Sequence, residues 1–467
     1  MSERDTHVGQ ELPAFVAEGA SATSAEWAAP ALLKAAEIAC EAAIAAGAEH
    51  ADAFAERGHE LSVSVEKNAI SSTDARTRSS VSVRAFVAGA TGWWSASTVT
   101  EAIAREAGRQ AADLAKAAEP DPDFVSLVSP EPYPVVDRLF DPAIAALGVK
   151  EVASWVTRNI DSALSVAPDA VVSGESGTRW WEAALANSLG VRAVHRMTSA
   201  SVSAQVVIRQ NGDVGSFYEW DSARNLADLV PDEIGATAAR EAMKYLKSRV
   251  ANTATLPVVF GPLAGRSLLM GLCAAASAED VQRRRSFLVG RKGEVVASER
   301  VTLVDDPLVP GGLYSGAFDG DGFPHRPMTL VDRGVLQTYL HSNYTARKSG
   351  EANTGHATRA GISPTNVRPA LGEKTAAELI GEVEDGVYVV LGQPSPDTAS
   401  GQISALVDAG FRIRKGELAY PLKNTMVAGH ALEVMKAIDA ISSDYREEPG
   451  LIMPTVRVSA MRVASGE

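Results

Sequence analysis

The sequence predicts an α+β protein, with an N-terminal α/β domain and a C-terminal domain of mostly antiparallel sheet with a few helices. Two observations carry this prediction. Over the first half of the chain, the order helix, strands, helix occurs twice, which indicates duplicated units. The second half contains short strand-like segments separated by glycine-rich turns, which are typical of antiparallel strands. We therefore predict a flexible tail at residues 1–24, an α/β domain at 25–250 and a β-rich, peptidase-like domain at 255–467.

The first unit begins with a predicted helix at Pro30–Ala46. Proline suits the first turn of a helix, and the glycine that follows Ala46 suits a C-terminal cap. Strict alternation of apolar and polar residues predicts half-buried strands at Leu61–Glu66 and Ser80–Val87. A second helix is predicted at Val99–Ala118, so the unit reads helix, strands, helix.

The second unit repeats this order after a proline-rich linker at Asp121–Pro134. Helices are predicted at Ala143–Val166 and at about Pro231–Arg249, and Asn211-Gly212 is a strong signal for a hairpin turn. The strands expected between these helices are Ala170–Val172, Thr178–Ala186, Gly190–Val194 and Ser199–Arg209.

The C-terminal half is predicted to be strand-rich. Val295–Asp305 and Met328–Leu340 have the alternation of strands broken by turns. A helix is predicted at Thr425–Ile441, and a last strand at Thr455–Val463 closes the sheet.

Composition excludes several classes of protein. Of 467 residues, 46% are hydrophobic and 22% are charged, as in ordinary globular proteins, and the formal net charge is −14. Nucleic-acid binding requires concentrated Lys and Arg, so this acidic chain is expected to bind no nucleic acid. No apolar run is long enough to cross a membrane and no secretory signal is recognisable. With Cys40 and Cys273 as its two cysteines, the chain fits a reducing cytoplasm.

Few residues suggest chemistry. The sequence has no P-loop and no dinucleotide fingerprint. Asp319–Gly322 begins like a calcium loop but lacks the later ligands, so a tight loop is the better interpretation. His325, His341 and His356 share the C-terminal half with Asp305 and would form a metal or catalytic site if the fold brought them together. Ordinary hydrogen-bonded histidines are the alternative.

The stretch Gly261–Asp280 follows the apolar run Leu256–Phe260 and is predicted to turn from a strand into a helix. Leu268, Leu269 and Leu272 form an apolar stripe at helical spacing. This spacing alone indicates a buried core helix.

Several stretches of the chain resemble one family in their order and spacing. They are Ser64–Arg84, Gly92–Ser97, Pro257–Pro262, Val296–Glu299, Val304–Asp306, Asp319–Pro324, Thr329–Leu336, Ser400–Ser404, Arg414–Glu417 and Ala428-Gly429. Together they resemble the TldD/PmbA family, also called TldD/TldE or modulator of gyrase, over about residues 30–463.

The resemblance implies a zinc peptidase fold in which TldD-type subunits carry H-E-x-x-x-H on the helix and a cysteine near the C-terminus. Zinc requires such imidazole and thiolate ligands. Here Met270, Gly271 and Ala275 occupy the three motif positions, Cys273 lies inside the motif, and Ser442–Val463 contains no cysteine. The chain therefore resembles the PmbA/TldE-type subunit, with no catalytic residue, cofactor or metal ligand of its own.

The implied partner is a TldD-type subunit that carries the zinc, in a heterodimer that cleaves unfolded or leader peptides, including those of natural-product biosynthesis. Two alternatives stay open. The chain could be a homodimer that binds peptides or proteins without cutting them, or an enzyme that uses a divergent site.

Overall fold

The computed structural model describes residues 29–466. The strands form two large sheets, and each sheet packs with helices around a core of its own. The tail predicted at residues 1–24 lies outside the described residues. The elements of the N-terminal half are α1 (Ala29–Ala45), β1 (His50–Glu66), β2 (Ala69–Val87), β3 (Ala90–Ala96), α2 (Glu101–Ala117), α3 (Pro142–Ala145), α4 (Val149–Val166), β4 (Val171–Asn187), β5 (Arg192–Gln210), β6 (Asp213–Ala223) and α5 (Ile234–Lys244).

The N-terminal sheet is antiparallel and has six strands in the order β3-β2-β1-β4-β5-β6. Two three-stranded meanders are therefore joined through β1 and β4, and each meander is preceded and followed by a helix. Helices α1 and α2 pack together over one half of a sheet face, and α4 and α5 pack together over the other half. This arrangement confirms the predicted duplication of a helix–strands–helix unit.

Small residues let the helices of the first unit approach the sheet and each other closely. An added Cβ at Gly92 of β3 would lie 2.1 Å from the carbonyl oxygen of Ala111 in α2. A Cβ at Gly108 of α2 would lie 2.0 Å from the carbonyl oxygen of Ala39 in α1. Both distances are far below van der Waals contact, so the alanine-rich sequence reflects a layer in which backbones touch.

The elements of the C-terminal half are β7 (Arg249–Val250), β8 (Ala254–Phe260), α6 (Pro262–Ala275), α7 (Ala278–Gln282), β9 (Leu303–Asp305), β10 (Met328–Asp332), β11 (Val335–Leu336), α8 (Asn343–Ser349), β12 (Ala357–Thr358), β13 (Gly361–Ile362), β14 (Val367–Pro369), α9 (Ala376–Gly381), β15 (Asp385–Leu391), β16 (Gln402–Leu406), β17 (Ala409–Arg414), β18 (Glu417–Lys423), β19 (Thr425–His430), α10 (Ala431–Lys436), β20 (Ile438–Glu448) and β21 (Leu451–Ser465).

The main C-terminal sheet has the order β16-β19-β21-β8-β15-β17-β18-β7, and β20 pairs with β21. Most of its pairs are antiparallel, as predicted, and β8 is parallel to β15. A smaller sheet has the order β11-β10-β9-β14. None of the helices in residues 29–466 has the length and apolar character needed to cross a membrane.

The helix predicted at Thr425–Ile441 is wrong over most of its length. The segment forms β19, the short helix α10 and the start of β20. β19 lies between β16 and β21, and its alternate residues Thr425 and Val427 are buried. Pairing on both edges outweighs the helix propensity of the alanine and methionine residues in this stretch.

A buried ion cluster joins the N-terminal sheet to the C-terminal half. Asp52 of β1 is 2% exposed and accepts hydrogen bonds from Arg84 of β2 at 2.6 and 2.9 Å. Arg359, from the turn after β12, donates to the same carboxylate at 3.0 Å. Arg84 also donates to Asp321 at 2.7 Å. Burial alone would raise the pKa of Asp52, but Arg84 and Arg359 together hold that pKa below its usual range.

We expect Arg84→Met to destabilise the protein by about 3 kcal/mol, because it leaves the buried carboxylate of Asp52 with one cation instead of two. Urea unfolding followed by circular dichroism measures the change. Arg109→Met on α2 is the matched control. Arg109 forms exposed ion pairs with Glu106 and Asp113, so its loss should cost less than about 1 kcal/mol. Equal effects of the two variants would contradict the assigned role of the cluster.

Candidate functional site

Helix α6 begins directly after the central strand β8, as the sequence predicts. Pro262 occupies its first turn, and the amide of Gly261 donates to the carbonyl of Val389 in β15 at 2.8 Å, which fixes the turn to the neighbouring strand. Leu268 and Leu272 are fully buried in the main C-terminal core. This inner face of α6 therefore has the apolar stripe that the sequence indicates.

The outer face of α6 forms the floor of a groove with a volume of about 820 Å³ between the two halves of the molecule. Leu263, Ser267, Met270, Gly271 and Ala274 recur at helical spacing along this floor. The other lining residues come from α6 itself, from β5, β6 and the end of β15, and from loops of the C-terminal half. They are Gln205, Ser216, Phe217, Tyr218, Trp220, Arg266, Ser363, Pro364, Leu391, Gly392, Gln393, Ser395 and Asp408. We define these residues as the α6 groove.

Strand β6 supplies the wall that faces α6. It is the last strand of the N-terminal sheet, and alternation places Ser216, Tyr218 and Trp220 on the groove side. Phe217 points to the other face, where its ring stacks near Tyr245. Sequence reasoning missed this wall. The exposed aromatic residues at alternate positions of a strand were the available signal, but only the fold shows that they face α6.

Ion pairs at one end of the groove tie its two walls together. Arg446 of β20 donates to the Glu219 carboxylate at 2.7 Å and to the Trp220 carbonyl at 2.8 Å, and its guanidinium lies 4.9 Å from the Trp220 ring. Arg266 of α6 lies 3.2 Å from Glu448. The wall from β6 is thus attached to the C-terminal sheet by charge-assisted hydrogen bonds.

The lining of the α6 groove suits a peptide better than a metal ion. Of the described residues that line it, none is His, Cys or Glu, and Asp408 is the one carboxylate. Burial raises the pKa of Asp408. Amide and hydroxyl groups such as those of Gln205 and Ser267 can bind a peptide backbone, and the aromatic rings of β6 offer apolar contacts.

Met270, Gly271 and Ala275, to which the resemblance assigns the three motif positions, have no imidazole or carboxylate, and the structure shows why the central residue is small. A Cβ added to Gly271 would lie 2.4 Å from Cδ of Pro396 and 2.8 Å from Oγ of Ser395. Pro396 is buried against the helix. Ala275 is fully buried, and Met270 is half-buried on the groove floor. The loop before β16 therefore fills the space in which a side chain at position 271 would begin.

Two of the candidate residues of the C-terminal half come together, namely His356 and Asp305. Their side chains are 3.5 Å apart at Nε2 and Oδ1, and both are buried. His356 is within 2.9 Å of the Thr354 hydroxyl at its other nitrogen, and Asp305 accepts from the backbone amide of Thr365 at 2.7 Å. Burial alone would raise the pKa of Asp305, but hydrogen bonds from His356 and Thr365 hold it below its usual range.

His325 and His341 have separate partners. Nδ1 of His325 is 2.9 Å from the carbonyl of Gly316, and Nε2 of His341 is 3.5 Å from the Glu351 carboxylate. Within residues 29–466 no group of three or more His, Cys, Asp or Glu side chains is placed to share a metal ion. These histidines lie outside the α6 groove.

His195, which is half-buried, and His325, which is buried, lie where the N-terminal sheet meets the C-terminal half. The ring of His195 stacks on Phe318 at 5.4 Å. Burial lowers the pKa of each histidine to about 4, and for His195 the positive charge of Arg224 adds to this effect. Both imidazoles are thus held neutral in the folded protein at pH 7.

The loop Asp319–Gly322 is a tight turn, as its sequence indicates. Oδ1 of Asp319 accepts hydrogen bonds from the amides of Asp321 and Phe323, each at 2.9 Å, and Oδ2 accepts from the amide of Ala357 at 3.1 Å. Burial, together with the nearby charge of Asp321, raises the pKa of Asp319 to about 7. The carboxylate organises the loop that places Asp321 beside Arg84.

A second cavity, of about 490 Å³, lies beside the ion cluster. Its charged residues are occupied with one another or with neighbours. Lys348 lies 2.6 Å from Asp123, and Arg283 lies 3.1 Å from Glu279. The α6 groove is therefore the better candidate for a functional site.

Three family models match the chain in order. The PmbA/TldA metallopeptidase domain 1 matches residues 51–119, the central domain matches residues 144–246 and the C-terminal domain matches residues 253–465. Together these matches cover most of the chain.

Curated relatives match over part of their length. The chain is 28% identical to metalloprotease PmbA of Escherichia coli O157:H7 over 281 residues, which are 60% of this chain and 61% of that protein. It is 33% identical to a metalloprotease of Methanothermobacter thermautotrophicus over 225 residues, 46% of this chain and 49% of the other. The match thus spans less than two thirds of the length of these relatives.

Solved structures share the fold. A putative modulator of DNA gyrase from Thermotoga maritima superposes with a TM-score of 0.84 at 24% identity, over 92% of this chain and 99% of that one. TldE from Thermococcus kodakarensis superposes with the same TM-score and identity, over 92% of this chain and 100% of the other.

We expect Gly271→Ala to destabilise the protein by about 2 kcal/mol, because the added methyl group overlaps the Pro396 ring. In an unobstructed helix the same change would be favourable. Ala274→Ser is the control. Residue 274 is exposed and lies three residues further along α6, so this change should alter the free energy of unfolding by less than about 0.5 kcal/mol. Thermal and urea unfolding measure both variants.

The triple variant Met270→His, Gly271→Glu, Ala275→His should not acquire stoichiometric zinc. The Cβ atom of a glutamate at position 271 would overlap Pro396. The hydrogen bonds that normally orient metal ligands are also absent. Metal analysis after dialysis against zinc tests this expectation. Tight binding of one zinc ion per chain would show it to be wrong.

The pH dependence of stability should include a contribution from His325. Its pKa is about 4 in the folded protein and about 6.5 in the unfolded chain, so the unfolded state binds more protons between these values. The contribution of His325 to stability therefore falls as the pH is lowered from 7. Replacement by Gln should reduce the loss between pH 7 and pH 5 by about 2 kcal/mol. The raised pKa of Asp319 changes stability in the opposite direction. This effect is the same in the wild-type protein and in the variant, so it cancels in the comparison. An unchanged pH profile would contradict the prediction.

Proposed function

Because the chain belongs to the PmbA/TldA metallopeptidase family, we propose that it is the non-catalytic, TldE-type subunit of a cytoplasmic heterodimeric zinc metalloprotease. The observation that carries the proposal is the outer face of α6. The positions that bear H-E-x-x-x-H in TldD-type subunits hold Met270, Gly271 and Ala275, and Pro396 lies where a side chain at position 271 would start.

The residues at these three positions do not fit a catalytic zinc ion. A thioether, a hydrogen and a methyl group take the places of two imidazoles and a carboxylate, and both cysteines are buried, with burial raising the pKa of each thiol. No step of hydrolysis is assigned to this chain. We propose that the zinc and the residues that act on the scissile bond are in a TldD-type partner.

The α6 groove is the part of this chain that we propose to contact the substrate. Its volume of about 820 Å³ is sufficient for several residues of an extended peptide. Strand β6 ends the N-terminal sheet, so an extended peptide can pair with its free backbone groups up to the point where Arg446 bonds to Trp220. Backbone pairing selects unfolded segments over folded proteins, which agrees with unfolded or leader peptides as substrates, including those of natural-product biosynthesis.

A homodimeric peptide-binding protein is the second candidate. It is favoured by the same groove, which has a polar and aromatic lining suited to binding and, among the described residues, no His, Cys or Glu.

Native mass spectrometry of the chain, purified gently from its own host, tests the proposal. We expect a complex of this chain with one TldD-type chain and one zinc ion, and peptide cleavage that is sensitive to a chelator. The complex containing the partner's variant without its motif glutamate is the control and should lack activity. A metal-free homodimer that ignores such a partner would favour the binding protein. Metal-dependent cleavage by this chain alone would overturn the proposal and favour a divergent site.

A further inference from the structure

The α6 groove contains one charge that the chain leaves unpaired. Among the described residues that line it, Arg266 and Asp408 are the two with charged side chains. Arg266 lies 3.2 Å from the carboxylate of Glu448, so its charge is neutralised within the chain. The side chain of Asp408 has no hydrogen-bond or ion-pair partner among residues 29–466. The groove therefore keeps one negative charge that is open to a ligand.

The backbone fixes the position of Asp408. This residue and Val407 form the link between β16 and β17. The amide of Val407 donates to the carbonyl of Thr425 at 2.8 Å, and the amide of Asp408 donates to the carbonyl of Leu391 at 3.1 Å. The side chain of Val407 is buried, whereas that of Asp408 is exposed to the groove. The carboxylate is therefore held in place before any ligand binds, which lowers the entropy cost of binding.

The surroundings of Asp408 increase the gain from an opposite charge. Partial burial by the groove raises the pKa of Asp408, and no neighbouring cation acts against this effect. A carboxylate beside protein walls attracts a cation more strongly than one in bulk water, because the effective dielectric constant is lower. A cationic group that entered the groove would therefore find a favourable partner.

The aromatic residues of the groove also favour a cation. Tyr218 and Trp220 line the groove from β6, with ring centroids 5.4 Å apart. The ring of Trp220 already has the guanidinium of Arg446 at 4.9 Å. The ring of Tyr218 is 39% exposed and, among residues 29–466, has no cation over it. Lys and Arg side chains are attracted to the faces of such rings.

We propose that the α6 groove selects extended peptides that contain a lysine or an arginine, and that Asp408 is the residue that pairs with this basic side chain. The inference rests on the proposed function of the groove as a peptide-binding site, and it adds the class of residue that the site selects. The long apolar stem of Lys or Arg can pack along an aromatic ring while its charged end reaches a carboxylate.

Pairing with β6 would present the basic residue in a defined way. Ser216, Tyr218 and Trp220 point into the groove from alternate positions of β6. A peptide strand added beside β6 has the same alternation, so every second side chain of the peptide faces the groove. One of these side chains is the one that we expect to pair with Asp408.

The charge of the whole chain acts in the same direction but without selectivity for the groove. The formal net charge of −14 attracts any cationic peptide from a distance, and salt screens this attraction. A test must therefore separate the general field from the local pairing. A variant that changes the net charge equally, at a position outside the groove, makes this separation.

Binding of three labelled peptides to the full chain, measured by fluorescence anisotropy, tests the proposal. The probes are acetylated and amidated peptides of serine, threonine and valine, with a central lysine, glutamine or glutamate. We expect the lysine peptide to bind about tenfold more tightly than the glutamine peptide, because it alone forms the pair with Asp408. The glutamate peptide should bind most weakly.

Two variants of Asp408 assign the selection to this residue. Asp408→Asn should weaken binding of the lysine peptide about tenfold and leave the glutamine peptide unchanged. Asp408→Lys should make the glutamate peptide the tightest ligand, a reversal that a merely structural role would not produce. Asp161→Asn is the matched control, because Asp161 is exposed on α4, which covers the opposite face of the N-terminal sheet. It should leave all three dissociation constants within about twofold of their values in the unmodified chain. Circular dichroism checks that each variant is folded.

The outcomes separate this inference from the proposed function. Peptides that bind without regard to their charge would overturn the inference and leave the peptide-binding function standing. A lysine preference that persists in Asp408→Asn would also overturn it, because another residue would then select the charge. If none of the three peptides binds, the proposed function of the groove fails, and this inference fails with it.

Discussion

The ion cluster around Asp52 is the interaction on which the geometry of the functional groove depends. A carboxylate that is 2% exposed stays ionised because two guanidinium groups reach it, one from the adjacent strand and one from the C-terminal half. The cluster therefore holds together two cores that the chain builds separately. The α6 groove has one wall from each half, so its width is set by this contact and by the bonds of Arg446 to β6. Arg224, which donates to the carbonyl of Gly312 from the end of β6, adds a third link.

Helix α6 has two faces under different constraints. Its inner face packs Leu268 and Leu272 into the main core, where any loss of volume would cost several kcal/mol. Its outer face lines the groove and contributes little to the core. Residues on the outer face can therefore vary while the helix, its position and the fold persist. Gly271 adds a constraint of its own, because the loop that contains Pro396 lies where a side chain at this position would begin.

Much of the fold could be predicted from the sequence. The parts that could not be predicted share one cause. Alternation in Ser80–Val87 and helical spacing in Val99–Ala118 are local signals, and the structure has β2 and α2 there. The segment Thr425–Ile441 reads as a helix because its residues favour one, and only pairing with β16 and β21 makes its first part a strand. The meeting of His356 with Asp305 and the wall formed by Tyr218 and Trp220 are likewise long-range outcomes. A sequence states which residues have suitable chemistry, but the contacts between distant strands decide which of them meet.

The edges of the two large sheets differ in a way that bears on assembly. The C-terminal sheet ends in β16, of five residues, and β7, of two residues, so neither edge offers much backbone to another chain. At the other end of the N-terminal sheet, Arg446 bonds to the carbonyl of Trp220 in β6. Residues 69–80 of β2 form a longer exposed edge, and this edge has a bulge at Ser71 and the charged side chains of Asp74, Arg76 and Arg78. An unprotected edge exposes a protein to aggregation, and the other edges show that this fold has the means to shorten or cover one. A bulge and alternating charges both discourage pairing with an unspecified strand, so the β2 edge is protected by its residues where the C-terminal sheet is protected by short edge strands.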